Sequence, residues 1–297
     1  MAAATAETPQ QQHPGETHQQ AQESLAGLIP ALLATAWPLL DISDLAGSIP
    51  KLKAAVLAIV THYGRASASL ALQHYRDQRY AAGVHTGVQL PMPPAPSTAE
   101  VSSAVDWALS GLWGPPSPEA EQAAKTNLEV AADRLVVEQG RQAVLDAVRH
   151  DPQAKGWARI PDAGACAFCL MLAARGAVYK TESAASFQVH DNCHCTPEAW
   201  WRGHYEPTAR VRAAQALWRD STKGRSGNDA RVAFRQAVEG RPVTGTTGPK
   251  HESLEPIVGL GLTRSQVEHQ LETVRALKPS AWRTKRLAEL EQLLVHH

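Results

Sequence analysis

All four cysteines of this 297-residue chain fall between Cys166 and Cys195. Two form a C-x-x-C pair, Cys166-Ala-Phe-Cys169. The other two form a C-x-C pair, Cys193-His-Cys195, with His190 and His194 beside it. Cysteines used only as small hydrophobes would be scattered along the core elements. Thiolate sulfur and imidazole nitrogen at short local spacings are the ligands that a zinc ion takes. A tetrahedral site could draw on Cys166, Cys169, Cys193 and Cys195, or His190 could replace one of the last two. Spacing does not select between these sets, and His194 points away if both of its neighbours ligate. Four protein ligands close the coordination sphere, so such a site folds the chain and does not catalyse. Packed or disulfide-bonded cysteines and redox chemistry are the competing readings.

The motifs of other cysteine and zinc chemistries are missing. A zinc nucleobase deaminase needs H-x-E ahead of P-C-x-x-C. Here His204-Tyr-Glu206 follows the pair, and Ala165 precedes Cys166. A thioredoxin-like centre would want a βαβ context, whereas the flanking chain reads as helix and turn. Neither G-x-S-x-G nor H-E-x-x-H occurs, and no glycine-rich phosphate loop is present. No catalytic residue is assigned.

Charge supplies the second candidate site. The chain carries 29 basic and 29 acidic side chains, so it is no polycation. Residues 1–150 hold nine Lys/Arg against fourteen Asp/Glu, whereas residues 202–250 hold ten against four. Arg210, Arg212, Arg219, Lys223, Arg225, Arg231 and Arg235 are therefore candidate contacts to nucleic acid or an acidic partner. The plainer reading is a solvated helical face. No basic residue precedes Lys51, which speaks against a secretory signal, and Leu25–Leu40 is interrupted by Pro30 and Pro38. A cytosolic site of synthesis keeps thiols reduced and favours metal over disulfide.

The elements that must position these residues are mostly helices. Residues 1–22, rich in Ala, Gln, Thr, Pro and Glu, read as a disordered tail. A helical domain spans 23–150. Its longest early helix starts near Pro50 and carries Leu52, Val56, Ile59, Val60, Tyr63, Ser67, Leu70 and His74 on one stripe. Ser97 or Thr98 caps a helix carrying Val101, Val105 and Ala108, and Ser117-Pro118 opens a long one running to about Arg149. A Cys/His module with basic helices follows over 151–240. It includes a short strand at Trp157–Ile160 and a small hairpin drawn from Val178-Tyr179 and Phe187–Val189. A linker at 241–262 leads to a helical hairpin at 263–297. The fold class is mainly α: a helical body with a small α+β Cys/His-rich module inserted before C-terminal helices.

Cys166-x-x-Cys169, Leu172-Ala-Ala-Arg-Gly176, Val178-Tyr179 and His190-Asp-Asn-Cys193-x-Cys195 together resemble the MuF-like head-morphogenesis or minor capsid proteins of phages, in the form carried by phages of actinobacteria. In that family the residue at 194 is commonly Arg, whereas this chain has His194. The motif match covers about residues 157–200. The resemblance implies a virion protein inside the head near the portal vertex, present in the host cytoplasm during assembly. Its implied partners are portal and capsid or scaffold proteins, with packaged DNA as a further candidate, and neither a membrane nor a small-molecule substrate. It also leaves capsid maturation protease as the alternative activity, for which no signature is present. The cofactor expected from the Cys/His spacing, apart from the resemblance, is zinc in a structural role.

Overall fold

The computed structural model describes residues 13–178, 193–201, 203, 205–241 and the isolated positions 275, 287, 288 and 291. The chain divides into two compact units, Met1–Asp162 with Ala177–Thr208, and Ala163–Gly176 with Ala209–His297. The fold is mainly α, with one two-stranded sheet among the described residues. The stretch 151–240, grouped by sequence into one module, is shared between the two units.

In the first unit, helices α1 (Pro14–Ala26), α2 (Ile29–Ala36), α3 (Leu45–Ala81), α4 (Thr98–Leu109) and α5 (Pro118–His150) build the body. Helix α1 corrects the expected tail, because the chain is ordered as helix from Pro14. Pro14 sits in the first turn, and the His13 side chain caps it by accepting from the Gly15 N–H at 3.1 Å. The buried side of α1 carries His18, Gln19 and Gln22, so there was no apolar stripe to read.

Helix α3 begins before Pro50, because the Asp44 carboxylate accepts from the Gly47 N–H at 3.0 Å and starts the helix there. Leu52, Val56 and Val60 join Ile29, Leu33, Val101, Val105, Leu109, Leu128 and Val136 in one core. Farther along α3, Leu70 is exposed, while Ala68, Ala71, Leu72 and Tyr75 are buried. That shift follows from close approach to α5, which runs in the same direction. A Cβ at Gly64 would lie 2.8 Å from Gln139, and one at Gly140 would lie 2.5 Å from the Ser67 hydroxyl. The small residues set the inner face here. Helix α3 is long and apolar enough to cross a membrane, yet its stripe belongs to this core.

After α5 the chain forms β1 (Ala154–Ile160), paired antiparallel with β2 (Thr196–Trp201) in a register from Ile160↔Thr196 to Ala154↔Trp201. Gly156, at φ 143°, absorbs an irregularity beside Ala154. Strand β2 was not expected, since Pro197 interrupts any strand pattern. The hairpin expected over 178–189 lies, apart from Val178, outside the described residues. Asp151, just past α5, fastens the sheet to α3. Its carboxylate accepts from Arg79 Nε at 2.8 Å, Tyr75 Oη at 3.0 Å and Trp201 Nε1 at 3.1 Å. Burial alone would raise this carboxyl, but the bonds from Arg79, the Gln153 backbone, Trp201 and Tyr75 hold it below the usual range.

In the second unit, α6 (Ala167–Ala174), α7 (Ala209–Ser221) and α8 (Gly227–Val238) pack around Leu170, Ala214, Leu217 and Phe234. Trp218 tilts against Phe234 with ring centres 5.1 Å apart. The linker and hairpin expected over 241–297 lie, apart from a few isolated positions, outside the described residues.

Candidate metal centre

None of the four cysteines is disulfide-bonded. In the second unit Cys166 caps α6: its sulfur accepts from the Cys169 N–H at 3.5 Å, as a C-x-x-C turn does when it opens a helix. Cys169 is fully buried, and Gly176 at φ 68° closes the segment after α6.

In the first unit Cys193 and Cys195 stand immediately ahead of β2, both buried, with sulfurs within 4.8 Å of each other. Arg141 of α5, only 1% exposed, fixes their backbone. Its Nε donates to the Cys195 carbonyl at 3.0 Å, and its second guanidinium nitrogen donates to the Cys193 carbonyl. Asp162, just after β1, accepts from the His194 N–H at 2.9 Å and from the Cys195 thiol at 3.4 Å. The C-x-C turn is thus held by a buried cation on its carbonyls and a carboxylate on its N–H. Supporting bonds of this kind fix the orientation of metal ligands. Cys193 and Cys195 thus bring two buried thiols together, a donor type that suits zinc.

His194 turns to Asp133, with Nε2 3.1 Å from a carboxylate oxygen. Burial alone would depress this imidazole, but the hydrogen bond and charge of Asp133, with Asp162 adding, push it up to about 9. Burial pushes the Asp162 carboxyl up, against the opposing charge of His194. His190 lies outside the described residues.

Among the basic candidates, Arg212, Arg219, Lys223, Arg231 and Arg235 are exposed and Arg225 is half-buried. Arg210 is not available as expected. It is buried on the side of α7 that carries Ala214, Leu217 and Ser221, at spacings of four, seven and eleven residues. A count of charge along the chain does not see that periodicity. Arg141 escaped sequence reading altogether. One of three arginines in a long Ala-rich helix gives no signal until its carbonyl partners are in place.

Residues 10–221 match the family described as VG15 protein, a span that takes in α1 to α7 and all four cysteines. The chain belongs to the VG15 family. It is also similar to the Gene 15 protein of Mycobacterium phage D29, 35% identical over 121 residues. That match spans 36% of this chain and 42% of the relative, less than half the relative's length. No solved structure matches. These similarities agree with the expectation of a phage protein.

Proposed function

We propose that this VG15 protein is a MuF-like minor capsid protein that acts in head morphogenesis inside the phage head, near the portal. The observation that carries the reading is the buried C-x-C turn with Arg141 and Asp162 behind it, which lies within the span matched to the VG15 family, in a chain that is also similar to a phage protein. Chemistry built around that turn is structural. On sequence spacing alone, Cys166, Cys169, Cys193 and Cys195, or His190 in place of one of the last two, would close a zinc site, and function falls to the helices. On α7, α8 and the turn between them, Arg212, Arg219, Lys223, Arg231 and Arg235 form a basic set suited to packaged DNA or an acidic neighbour.

The test is co-expression with the portal, scaffold and major capsid proteins of the same phage. Co-purification with portal-containing heads is expected, and heads that assemble with normal yield and composition without this chain would sink the assembly role. Cleavage of the major capsid protein that depends on this chain would instead make it a maturation protease. Anaerobically purified protein is expected to carry about one equivalent of zinc, removable by chelator with loss of stability. Zinc at well below half an equivalent would leave the cysteines as packing residues. Binding of duplex DNA should fall steeply with salt, and salt-insensitive binding would remove DNA from the list of partners.

A further inference from the structure

Helix α1 is held within the first unit mainly by polar side chains. His18 lies flat on His74 of α3, with ring centres 4.3 Å apart and planes 5° apart. Gln22 exchanges two bonds with Ser67. Its Nε2 donates to the Ser67 carbonyl at 2.9 Å, and the Ser67 hydroxyl donates to its Oε1 at 2.6 Å. Gly140 of α5 leaves room for this pair, since a Cβ there would lie 2.9 Å from Gln22 Nε2. At the start of α1, His13 Nδ1 accepts from Gly15, so Nε2 carries the hydrogen donated to the Glu206 carbonyl at 3.0 Å. The buried apolar side chain of α1 is Ala26 at its far end, where Leu25 also packs on the core.

Directly beneath the first turn sits Glu198 of β2, with its side chain 4% exposed. A Cβ at Gly15 would lie 2.5 Å from Oε1, so the helix backbone rests on the carboxyl group. Gln78 of α3 donates to Oε1, while Oε2 is buried with no hydrogen-bond partner. The titratable groups facing it are His13 at 3.9 Å and His74 at 4.0 Å from Oε1, with Glu16 on α1 and Tyr205 after β2. His74 Nε2 and Tyr205 Oη are likewise buried without a partner. A buried carboxyl whose nearest basic neighbours among the described residues are the His13 and His74 imidazoles, under a helix that docks through polar groups, is favoured neutral and costly when ionised.

We propose that α1 is a detachable latch on the first unit, and that the charge on Glu198 sets whether it is docked. Undocking α1 exposes little apolar surface, and its hydrogen bonds exchange for bonds to water. Opening at α1 therefore need not involve the core. The proposal is independent of the head-assembly reading.

Burial raises Glu198 from an ordinary 4.5 to about 7; the Gln78 bond opposes this and the Glu16 charge adds to it. A carboxyl raised in the docked state favours docking fully below the undocked value. That contribution is lost as pH rises from about 4.5 through about 7. The difference, 7 less 4.5, corresponds to a docking equilibrium up to about 300-fold weaker once Glu198 is ionised. His18 and His74 work the other way. Burial lowers them from 6.5 to about 4 and about 3, so their contribution is present above 6.5 and is lost on acidification. The loss between about 4.5 and about 7 comes from Glu198; Tyr205, also raised by burial, loses its contribution only above its ordinary 10.

Hydrogen exchange of the full chain at pH 8 tests this, comparing segments 14–26, 45–81 and 118–150. In the wild type, α1 should exchange ahead of α3 and α5. Glu198→Gln, neutral at every pH, should slow exchange of α1 by up to about 300-fold at pH 8 and leave α3 and α5 unchanged. Gly15→Ala, which pushes a methyl group into the carboxyl, should free α1 at pH 6 as well as at pH 8. Equal exchange of α1 in wild type and Glu198→Gln at pH 8 would overturn the latch. So would α1 exchanging in step with α3 and α5, or a Glu198→Gln variant in which all three helices exchange faster.

Discussion

Helices α1 and α4 are of similar length, 13 and 12 residues, and both dock on the body of the first unit, but by opposite means. Helix α4 buries Val101, Val105, Ala108 and Leu109, each at most 1% exposed, in the same core as Leu52 and Leu128. Helix α1 buries His18, Gln19 and Gln22. An apolar face gains free energy from every area it removes from water, and that gain is lost only when the core opens. A polar face exchanges bonds with water for bonds with protein, so its net gain per contact is small. Helix α4 is therefore bound into the global fold, and α1 is the one expected to come and go.

The largest effect expected from this contrast is on α4. Leu109→Ala removes a fully buried side chain and should cost about 2–5 kcal/mol, read as a lower urea midpoint at unchanged slope. The matching change on α1, Gln22→Ala, deprives the Ser67 carbonyl and hydroxyl of a partner, a loss of about 1–3 kcal/mol at the site. Its effect on global unfolding is capped by the docking free energy of α1, because the helix can leave before the core does. Protection of residues 14–26 should fall while the urea midpoint moves less than for Leu109→Ala. Equal midpoint shifts in the two variants would erase the distinction between the helices.

The same contrast explains what the sequence disclosed. Val101, Val105 and Ala108 repeat at helical spacing behind a Ser97 cap, so α4 was legible, as was α5 behind Ser117-Pro118. Helix α1 was not, because its buried positions are occupied by His and Gln, which composition assigns to solvent. The cysteine spacing likewise announced a metal or a sulfur cluster, but not Arg141, whose role depends on the carbonyls of Cys193 and Cys195 more than fifty positions away. Glu198 gave no warning either. Its meaning comes from Gly15 resting on it, a contact between two strand and helix residues far apart in the chain.

The smallest expected effect comes from the caps. Helix α4 has a reciprocal one: Ser97 Oγ accepts from the Glu100 N–H at 3.2 Å, and the Glu100 carboxylate accepts from the Ser97 N–H at 2.8 Å. Ser97→Ala should cost about 1 kcal/mol of global stability, because α4 unfolds with the core. The bonds from Ser97 hold the Glu100 carboxyl below its ordinary value, so its contribution is present above pH 4.5 and is lost on further acidification. The penalty of Ser97→Ala should accordingly shrink below pH 4.5. Helix α1 has a single cap, His13, which also ties it to the Glu206 carbonyl. His13→Ala should leave the urea midpoint nearly unchanged and speed exchange of residues 14–26 alone. A midpoint shift as large as that of Ser97→Ala would mean that the polar helix, too, is part of the global fold.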